Sequence, residues 1–242
     1  MSEEVVELDR LNLIDVDRTL FRSGEFMLAL HDALLSTVDR DLPSREQVVQ
    51  DISAESLPFA KYYYNKGIQL NMLYTATKTL KELYVYEDVD ILGELPGRVM
   101  LYTKGERDTQ EVKLHHSGLS KKVKGQTKYD ETSKPGVWIV QTNKGELLSK
   151  AIDQDASNTN IVVLRWNNVE YRAKELIFVD DKYGEIKPLV DLARSGIPLY
   201  MAHIVRKDAK YGAADDRDES IVVEIETLRD LEAKLQEMRN RR

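Results

Sequence analysis

Three apolar segments, far apart in the chain, each end in a polar or acidic residue. Each has the length and apolar character of a short buried strand, and they end at Asp15, at Thr103 and at residues 180–181. Helical patterns lie between them, and strands that alternate with helices predict an α/β fold, a Rossmann-like parallel sheet with helices on both faces. Catalytic groups in such folds lie at the carboxyl ends of strands. We therefore expect the three strand ends to meet at one edge of the sheet.

The segment between the first two strands predicts helices almost throughout. Apolar spacing favours helices over residues 24–38, 59–64 and 68–84, and the sequence at 44–47 resembles a capping box at the start of another helix. A chain of 242 residues fits one core domain with a smaller inserted one. The helical segment is the expected insertion.

The second half of the chain predicts the rest of the sheet. Asn167 and Asn168 separate two strand patterns and predict a β-hairpin. Strands are expected at residues 137–140, 161–166, 169–172, 176–179 and, as the final core strand, 199–205. Helices are expected at residues 106–117, 145–153, 186–194 and 228–239.

Composition excludes several classes of protein. The chain has no cysteine, so disulfides and zinc–thiolate sites are excluded. The net charge of −7 argues against a nucleic-acid clamp, which would carry a basic face. No apolar run of about 18 residues is present, so no membrane span is expected. These features predict a cytoplasmic protein with a substantial core.

Asp15 and Asp17 follow the first apolar strand one residue apart. Two close carboxylates attract a hard cation such as Mg²⁺, which prefers oxygen ligands. They also suit a division of labour between an ionised nucleophile and a proton donor and acceptor. The alternative is structural, since an aspartate at a strand exit also forms Asx turns and helix caps.

Four stretches of the sequence resemble the signatures of the haloacid dehalogenase superfamily. Residues 13–21 resemble its first signature, an apolar strand followed by Asp-x-Asp-x-Thr-Leu-Phe. Residues 99–105 resemble the second, a strand ending in threonine or serine, and Lys144 resembles the third, a lone lysine. Residues 176–181 resemble the fourth, a strand ending in an acidic pair. The resemblance spans roughly residues 10 to 205 and implies a helical cap over a Rossmann-like core.

The resemblance implies a phosphohydrolase with an aspartyl-phosphate intermediate. Asp15 would be the nucleophile, and Asp17 would protonate the leaving oxygen and then deprotonate water. Thr103 would bind a phosphoryl oxygen, and Lys144 would neutralise the nucleophile and the phosphoryl group. An acid at position 17 separates phosphohydrolases from the dehalogenase branch, so phosphate chemistry is favoured over carbon–halogen chemistry.

The same resemblance implies a magnesium ion and a small phosphorylated substrate. The ion would be held by the Asp15 carboxylate, the Asp17 carbonyl, and Asp180 or Asp181. Glu185 is a candidate outer acid, although an acidic residue near a helix start is also common without such a role. The implied domains are a core of residues 1–22 and 88–242 and a helical cap of residues 23–87.

Three features of the sequence leave alternatives open. Arg18 stands where the family often has glycine in a tight turn, so it either binds substrate phosphate or is an ordinary solvated or paired arginine. Lys134 is the alternative to Lys144 as the catalytic lysine. Residues 62–64, three tyrosines, either contact a substrate or pack the cap helices, and packing is the favoured interpretation.

The residues are also compatible with other functions. A phosphotransferase or mutase would use the same groups and pass the phosphoryl group to another acceptor. A catalytically silent binding protein on this fold is a third hypothesis, which Arg18 and the weak third signature keep open. The sequence does not indicate the oligomeric state.

Overall fold

The computed structural model describes residues 4–39, 41–55, 57–123, 136–207 and 218–241. Within them, eight strands form one sheet of order β3-β2-β1-β6-β5-β4, with β7 paired to β6 and β8 paired to β7. The strands are β1 (Glu4–Ile14), β2 (Arg98–Lys104), β3 (Val137–Val140), β4 (Ile152–Gln154), β5 (Val162–Trp166), β6 (Val169–Asp180), β7 (Leu199–Ile204) and β8 (Val222–Ile225).

Ten α-helices and three short 3-10 helices lie in the described residues. The α-helices are α1 (Ser23–Thr37), α2 (Arg45–Glu55), α3 (Phe59–Asn65), α4 (Leu70–Thr77), α5 (Arg107–Ser117), α6 (Leu119–Lys122), α7 (Lys144–Ala151), α8 (Tyr183–Ile186), α9 (Val190–Arg194) and α10 (Leu231–Arg241). The 3-10 helices are Glu87–Gly93, Lys187–Leu189 and Leu228–Asp230. None of the helices in the described ranges combines the length and apolar character needed to cross a membrane.

The sheet separates two hydrophobic clusters, so helices cover both of its faces. Successive residues of a strand point to opposite faces. Accordingly Ile14 and Val179 lie in one cluster with residues of α1, α3, α4, α5 and α10, while Leu13 and Phe178 lie in the other with residues of α7, α8 and α9. This α/β arrangement is the predicted fold class.

The register of the central strands brings three strand ends to one edge. β1 pairs in parallel with β2 and with β6, and Ile14 lies opposite Leu101 on one side and Val179 on the other. Parallel strands that share a register end together. The residues that follow, Asp15 and the pair 180–181, therefore lie at the same edge as the end of β2.

The sheet is parallel at its centre and antiparallel at one border. β5 and β6 form the predicted hairpin around Asn167 and Asn168, whose φ angles of 48° and 63° suit a tight two-residue turn. β4 adds a further antiparallel edge strand. The prediction of separate strands at 169–172 and 176–179 was wrong, because β6 runs unbroken through both.

Two further boundaries differ from the sequence prediction. The helix expected over 68–84 ends at Thr77, because the chain then returns to the exit of β1. There Arg22 donates its N–H to the Tyr84 carbonyl at 2.7 Å, and Tyr86 donates to the Leu20 carbonyl at 3.1 Å. The strand at 199–205 is not the last, because β8 pairs with it near the end of the chain.

Candidate active site

Asp15 lies in the turn that leaves the central strand β1. Its backbone N–H donates to the Val179 carbonyl at 2.9 Å, so the pairing with β6 continues one residue past the strand. The side chain is buried, and Thr19 Oγ1 donates to Asp15 Oδ2 at 3.3 Å. Asp15 Oδ1 also forms an ion pair with Lys144 Nζ.

The turn after Asp15 takes the left-handed backbone conformation at one residue. Arg18 has φ 63°, and Leu20 and Phe21 both donate their N–H groups to the Val16 carbonyl at 2.9 Å. This conformation favours glycine, which accounts for the family's preference at that position. The turn forms with arginine here, and the charge of the half-buried Arg18 partly offsets the rise that burial causes in the pKa of Asp181.

Lys144 is the first residue of α7, and its ammonium joins two acidic strand ends. Nζ lies 2.6 Å from Asp180 Oδ2 and forms the ion pair with Asp15. The helix start is fixed by Asn143, whose Oδ1 accepts the Glu146 N–H at 2.9 Å. Burial alone would lower the pKa of Lys144, but the two carboxylates raise it above its ordinary value. Lys144 therefore stays charged between the acids.

The other residues weighed beside Lys144 are placed differently. Lys134 lies outside the described residues. Glu185 is buried, accepts the backbone N–H of Lys144 and lies 3.4 Å from Lys104 Nζ. Glu185 thus acts on the backbone of Lys144, and it is absent from the acidic cluster found within the described residues.

Three buried carboxylates form a candidate cation site. Oxygen atoms of Asp15, Asp180 and Asp181 lie within 4.8 Å of one another. Burial raises the pKa of Asp15 well above its usual range; Lys144 opposes this shift, and Asp180 and Asp181 add to it. Burial and the charge of Asp180 raise the pKa of Asp181 to about 7. Clustered buried acids of this kind are stabilised in their ionised form by a cation.

Asp181 supplies the observation that tests whether a cation fits. Its Oδ2 atom is buried and hydrogen-bonds to none of the described residues. A buried carboxylate oxygen without a partner is rare in native structures. Oxygen-only ligands from carboxylates suit Mg²⁺. The donor set therefore fits the implied ion.

The side chain of Asp17 points to a different set of partners. Lys113 Nζ lies 2.6 Å from Asp17 Oδ1, Gln110 Nε2 donates to Oδ2 at 2.9 Å, and Ser23 Oγ donates to Oδ1. Burial would raise the pKa of Asp17, but Lys113 and these hydrogen bonds lower it to about 2. The carboxylate is ionised in the free protein, and its negative charge contributes to raising the pKa of Asp15.

Sequence reasoning missed Lys113 and Gln110. Both are buried on α5, the helix that follows Thr103. Their three-residue spacing places them on one side of that helix, which is the signal that was available. The spacing does not reveal which side faces Asp17, so the contact required the structure.

Thr103 lies near the end of β2 and is fully buried. Its hydroxyl hydrogen-bonds to none of the described residues. A buried hydroxyl normally has a partner. An anionic oxygen of a bound ligand would be one, so Thr103 has the chemistry of a ligand-binding residue.

The tyrosines at 62–64 pack the inserted helices. Their hydroxyls bond, in chain order, Asp51 at 3.1 Å, the His31 ring at 3.0 Å and Asp108 at 2.6 Å. Tyr63 is fully buried. The packing interpretation is thus the one with structural support, and the three hydroxyls are held by protein partners.

No family model and no curated protein matches the chain. Among solved structures, a haloacid dehalogenase-like hydrolase of Burkholderia xenovorans LB400 is 16% identical, with 95% of this chain and 98% of that chain covered and a TM-score of 0.52. A haloacid dehalogenase-like family hydrolase of Xanthomonas campestris is 16% identical (96% and 96% covered, TM-score 0.46). The HAD-hydrolase YfnB of Bacillus subtilis, bound to magnesium, is 14% identical (93% and 98% covered, TM-score 0.46). The first likeness shows that the chain has the haloacid dehalogenase-like fold.

Proposed function

From the haloacid dehalogenase-like fold and the buried acidic cluster, we propose that this chain is a magnesium-dependent phosphohydrolase of that superfamily, acting on small phosphorylated metabolites. One observation carries the proposal. The Lys144 ammonium lies between Asp15 and Asp180, and both acids stand at the ends of adjacent parallel strands. Phosphoryl transfer depends mainly on positioning and charge neutralisation, which such a cluster supplies.

Magnesium would be held by the carboxylates of Asp15, Asp180 and Asp181 and by the Asp17 carbonyl. When bound, it would neutralise charge on the phosphoryl oxygens and favour the ionised form of Asp15. Lys144 would add a further positive charge beside the nucleophile. The buried Thr103 hydroxyl would donate to a phosphoryl oxygen.

The residues of the chain account for both chemical steps. An oxygen of Asp15 attacks phosphorus, the bond to the leaving oxygen breaks, and Asp17 gives that oxygen a proton. Asp17 then takes a proton from water, whose oxygen attacks phosphorus and releases phosphate from Asp15. The ionised Asp17 of the free protein suits the second step. Substrate phosphate beside it raises its pKa and so favours the protonated form that the first step needs.

The inserted helices are proposed to form a cap over this site, with residues 23–87 as the cap and 1–22 and 88–242 as the core. Support comes from α3, which contacts the helix that carries Lys113. Ala60 N donates to Thr109 Oγ1 at 3.2 Å, and the Tyr64 hydroxyl contacts the same helix. A cap beside Asp17 would exclude water during the first step.

Phosphate release from a panel of phosphorylated metabolites and from 4-nitrophenyl phosphate, with and without Mg²⁺, tests the proposal. We expect turnover that requires Mg²⁺ and falls by about 1000-fold or more in Asp15→Asn. Asp9→Asn, at an exposed aspartate in the middle of β1, is the matched control and should retain activity. Circular dichroism of each variant checks folding.

Two results would contradict the proposal. One is the absence of Mg²⁺-dependent release by the wild type across the whole panel, which would favour the silent binding protein. The other is equal release by wild type and Asp15→Asn. Product analysis with added alcohol acceptors separates hydrolysis from phosphotransfer, because transfer yields a new phosphate ester in place of free phosphate.

A further inference from the structure

A buried arginine outside the catalytic set joins several distant parts of the chain. Arg206 follows β7 and is 6% exposed. Its guanidinium donates to both oxygens of Asp88, with Nη1 at 2.8 Å from Oδ2 and Nη2 at 2.9 Å from Oδ1. Asp88 is 5% exposed and also accepts the Leu228 N–H at 2.5 Å. A bidentate contact of this kind fixes the orientation of the guanidinium and also balances its charge.

The same guanidinium also holds the turn that carries the nucleophile. Nε and Nη2 of Arg206 donate to the Thr19 carbonyl at 3.2 and 2.6 Å. Thr19 is fully buried, and its hydroxyl donates to Asp15 Oδ2. One residue, Thr19, therefore links the Arg206 guanidinium to the Asp15 carboxylate.

Arg206 also contacts the second of the two linkers between core and inserted helices. The linkers run side by side, with Phe21 bridged to Val85 and Tyr86 N–H donating to the Leu20 carbonyl. The Arg206 guanidinium lies over the Tyr86 ring at 4.3 Å from its centroid. The arginine thus touches the outgoing linker at Thr19 and the returning linker at Tyr86.

We propose that Arg206 is a positioning residue for the nucleophile: with Asp88 it fixes the Thr19 turn and so directs the Asp15 carboxylate. This inference rests on the proposed function. The turn includes Arg18 in a left-handed conformation, which is unfavourable for a non-glycine residue and persists only where neighbours hold it. The buried Thr19 carbonyl needs donors, and Arg206 supplies two of them.

Stability alone does not account for this arrangement. A buried ion pair is often no more stabilising than apolar residues of the same volume. An apolar residue at 206 would leave the Thr19 carbonyl without these donors, and the turn would relax. A displacement of about 1 Å at a reacting group can cost about 100-fold in rate.

Kinetics of Arg206→Lys, Thr19→Val and the double variant test the inference. Lysine keeps the charge beside Asp88 but lacks the planar fork that reaches both Asp88 and Thr19. With 4-nitrophenyl phosphate and Mg²⁺, we expect kcat of Arg206→Lys to fall by about 10- to 100-fold with KM changed less than about threefold. The double variant should have a kcat within about twofold of the slower single variant, because both changes break the same link from Arg206 through Thr19 to Asp15.

Amide hydrogen exchange supplies a readout that does not need turnover. The N–H groups of Leu20 and Phe21 both donate to the Val16 carbonyl within the turn. Their exchange should accelerate by about tenfold or more in Arg206→Lys, since the turn opens more often. Arg194→Lys is the matched control, because Arg194 also pairs with an aspartate, Asp218, but lies exposed on α9. It should change neither exchange nor kcat.

The outcomes separate this inference from the proposed function. Unchanged exchange at Leu20 and Phe21 in Arg206→Lys overturns the inference whatever the activity. Losses of kcat that multiply in the double variant also overturn it, because they show that Arg206 acts by a route other than Thr19. Faster exchange in Arg206→Lys, together with no Asp15-dependent phosphate release by the wild type, would support the role of Arg206 in fixing the Thr19 turn and would contradict the proposed phosphohydrolase function.

Discussion

The Thr103 hydroxyl is buried at the end of β2 and bonds none of the described residues. A buried hydroxyl without a partner costs about 1–3 kcal/mol on the scale of protein mutations. A valine of nearly the same shape would avoid that cost. A threonine at this position is therefore best explained by a ligand that its hydroxyl binds. In the proposed reaction that ligand is a phosphoryl oxygen.

Replacing Thr103 by valine should separate stability from activity. We expect the free energy of unfolding of Thr103→Val to stay unchanged or to rise by about 1 kcal/mol. We expect kcat/KM for 4-nitrophenyl phosphate to fall by about 10- to 100-fold, the worth of a hydrogen bond to a charged group. Urea unfolding and steady-state kinetics measure both, with the exposed Thr75→Val as control. A variant that is clearly less stable yet fully active would contradict this role for Thr103.

Removing the Lys113 charge should make stability depend on pH in a defined direction. In the wild type Asp17 has a pKa of about 2, so it contributes stability that is present above its unfolded pKa of about 4 and is lost as the pH falls toward 2. In Lys113→Met burial dominates and raises the pKa of Asp17, so ionised Asp17 opposes folding at pH 7. We expect the variant to be about 3 kcal/mol less stable than wild type at pH 7 and closer to it at pH 3.

Denaturant unfolding at pH 7, 5 and 3 measures this difference. Lys121→Met, at an exposed lysine on α6, is the control and should show a small effect that does not vary with pH. A Lys113→Met deficit of equal size at all three pH values would show that the ammonium does not set the ionisation of Asp17.

At the scale of elements, α7 and α8 approach each other closely, and this contact places Lys144. A Cβ atom on Gly145 would lie 1.9 Å from the Glu185 carbonyl oxygen and 3.2 Å from Pro188. Only a residue without a side chain allows that approach. The contact places α7 so that the Lys144 ammonium reaches both Asp15 and Asp180.

Gly145→Ala should therefore displace α7 and lower both stability and activity. We expect a loss of about 1–3 kcal/mol in the free energy of unfolding, typical of overpacking, and a fall in kcat because Lys144 moves. Gly24→Ala in α1 is the matched control, since a Cβ there meets nothing within 4 Å. It should be neutral or stabilising by up to about 1 kcal/mol. Equal thermal midpoints for the two variants would refute the close contact.

The elements show what a single sequence can and cannot predict. The buried ends of β1, β2 and β6 are apolar runs, and the hairpin at Asn167 and Asn168 has its own turn signal, so these were predictable. β4 and β8 are only three and four residues long, too short for a period to emerge. The end of α4 is set by pairing between the two linkers, which helical periodicity does not report.

The site shows the same limit. Strand ends and signature spacing brought Asp15, Lys144 and the pair 180–181 together in the prediction, because the register of parallel strands follows from the fold. The partners of Asp17 depend on which face α5 turns toward the sheet. That rotation is set by packing against α3 and α4, so no local pattern reveals it.

At the scale of the whole molecule, one ionic cluster joins segments distant in sequence. Lys144 and Asp15 are 129 residues apart, and both depend on the central sheet for their placement. Buried acids that repel one another oppose folding unless a cation balances them. A cation that binds the folded cluster and not the unfolded chain must then stabilise the whole protein.

Magnesium should stabilise the fold more at pH 8 than at pH 6. The pKa of Asp181 in the free protein is about 7, above its unfolded value, so below pH 7 a proton competes with the ion for this carboxylate, whereas at pH 8 it does not. With Mg²⁺ at about 100 times its Kd, the stabilisation at pH 8 should be about 2.7 kcal/mol, seen as a rise in Tm that EDTA reverses. In Asp181→Asn the rise should be smaller and should depend less on pH than in the wild type, while Asp153→Asn, at an exposed aspartate, should behave as wild type. A rise in Tm that is the same at pH 6 and pH 8 in the wild type would mean that Asp181 is not a ligand, because a ligand carboxylate must lose its proton before the ion binds.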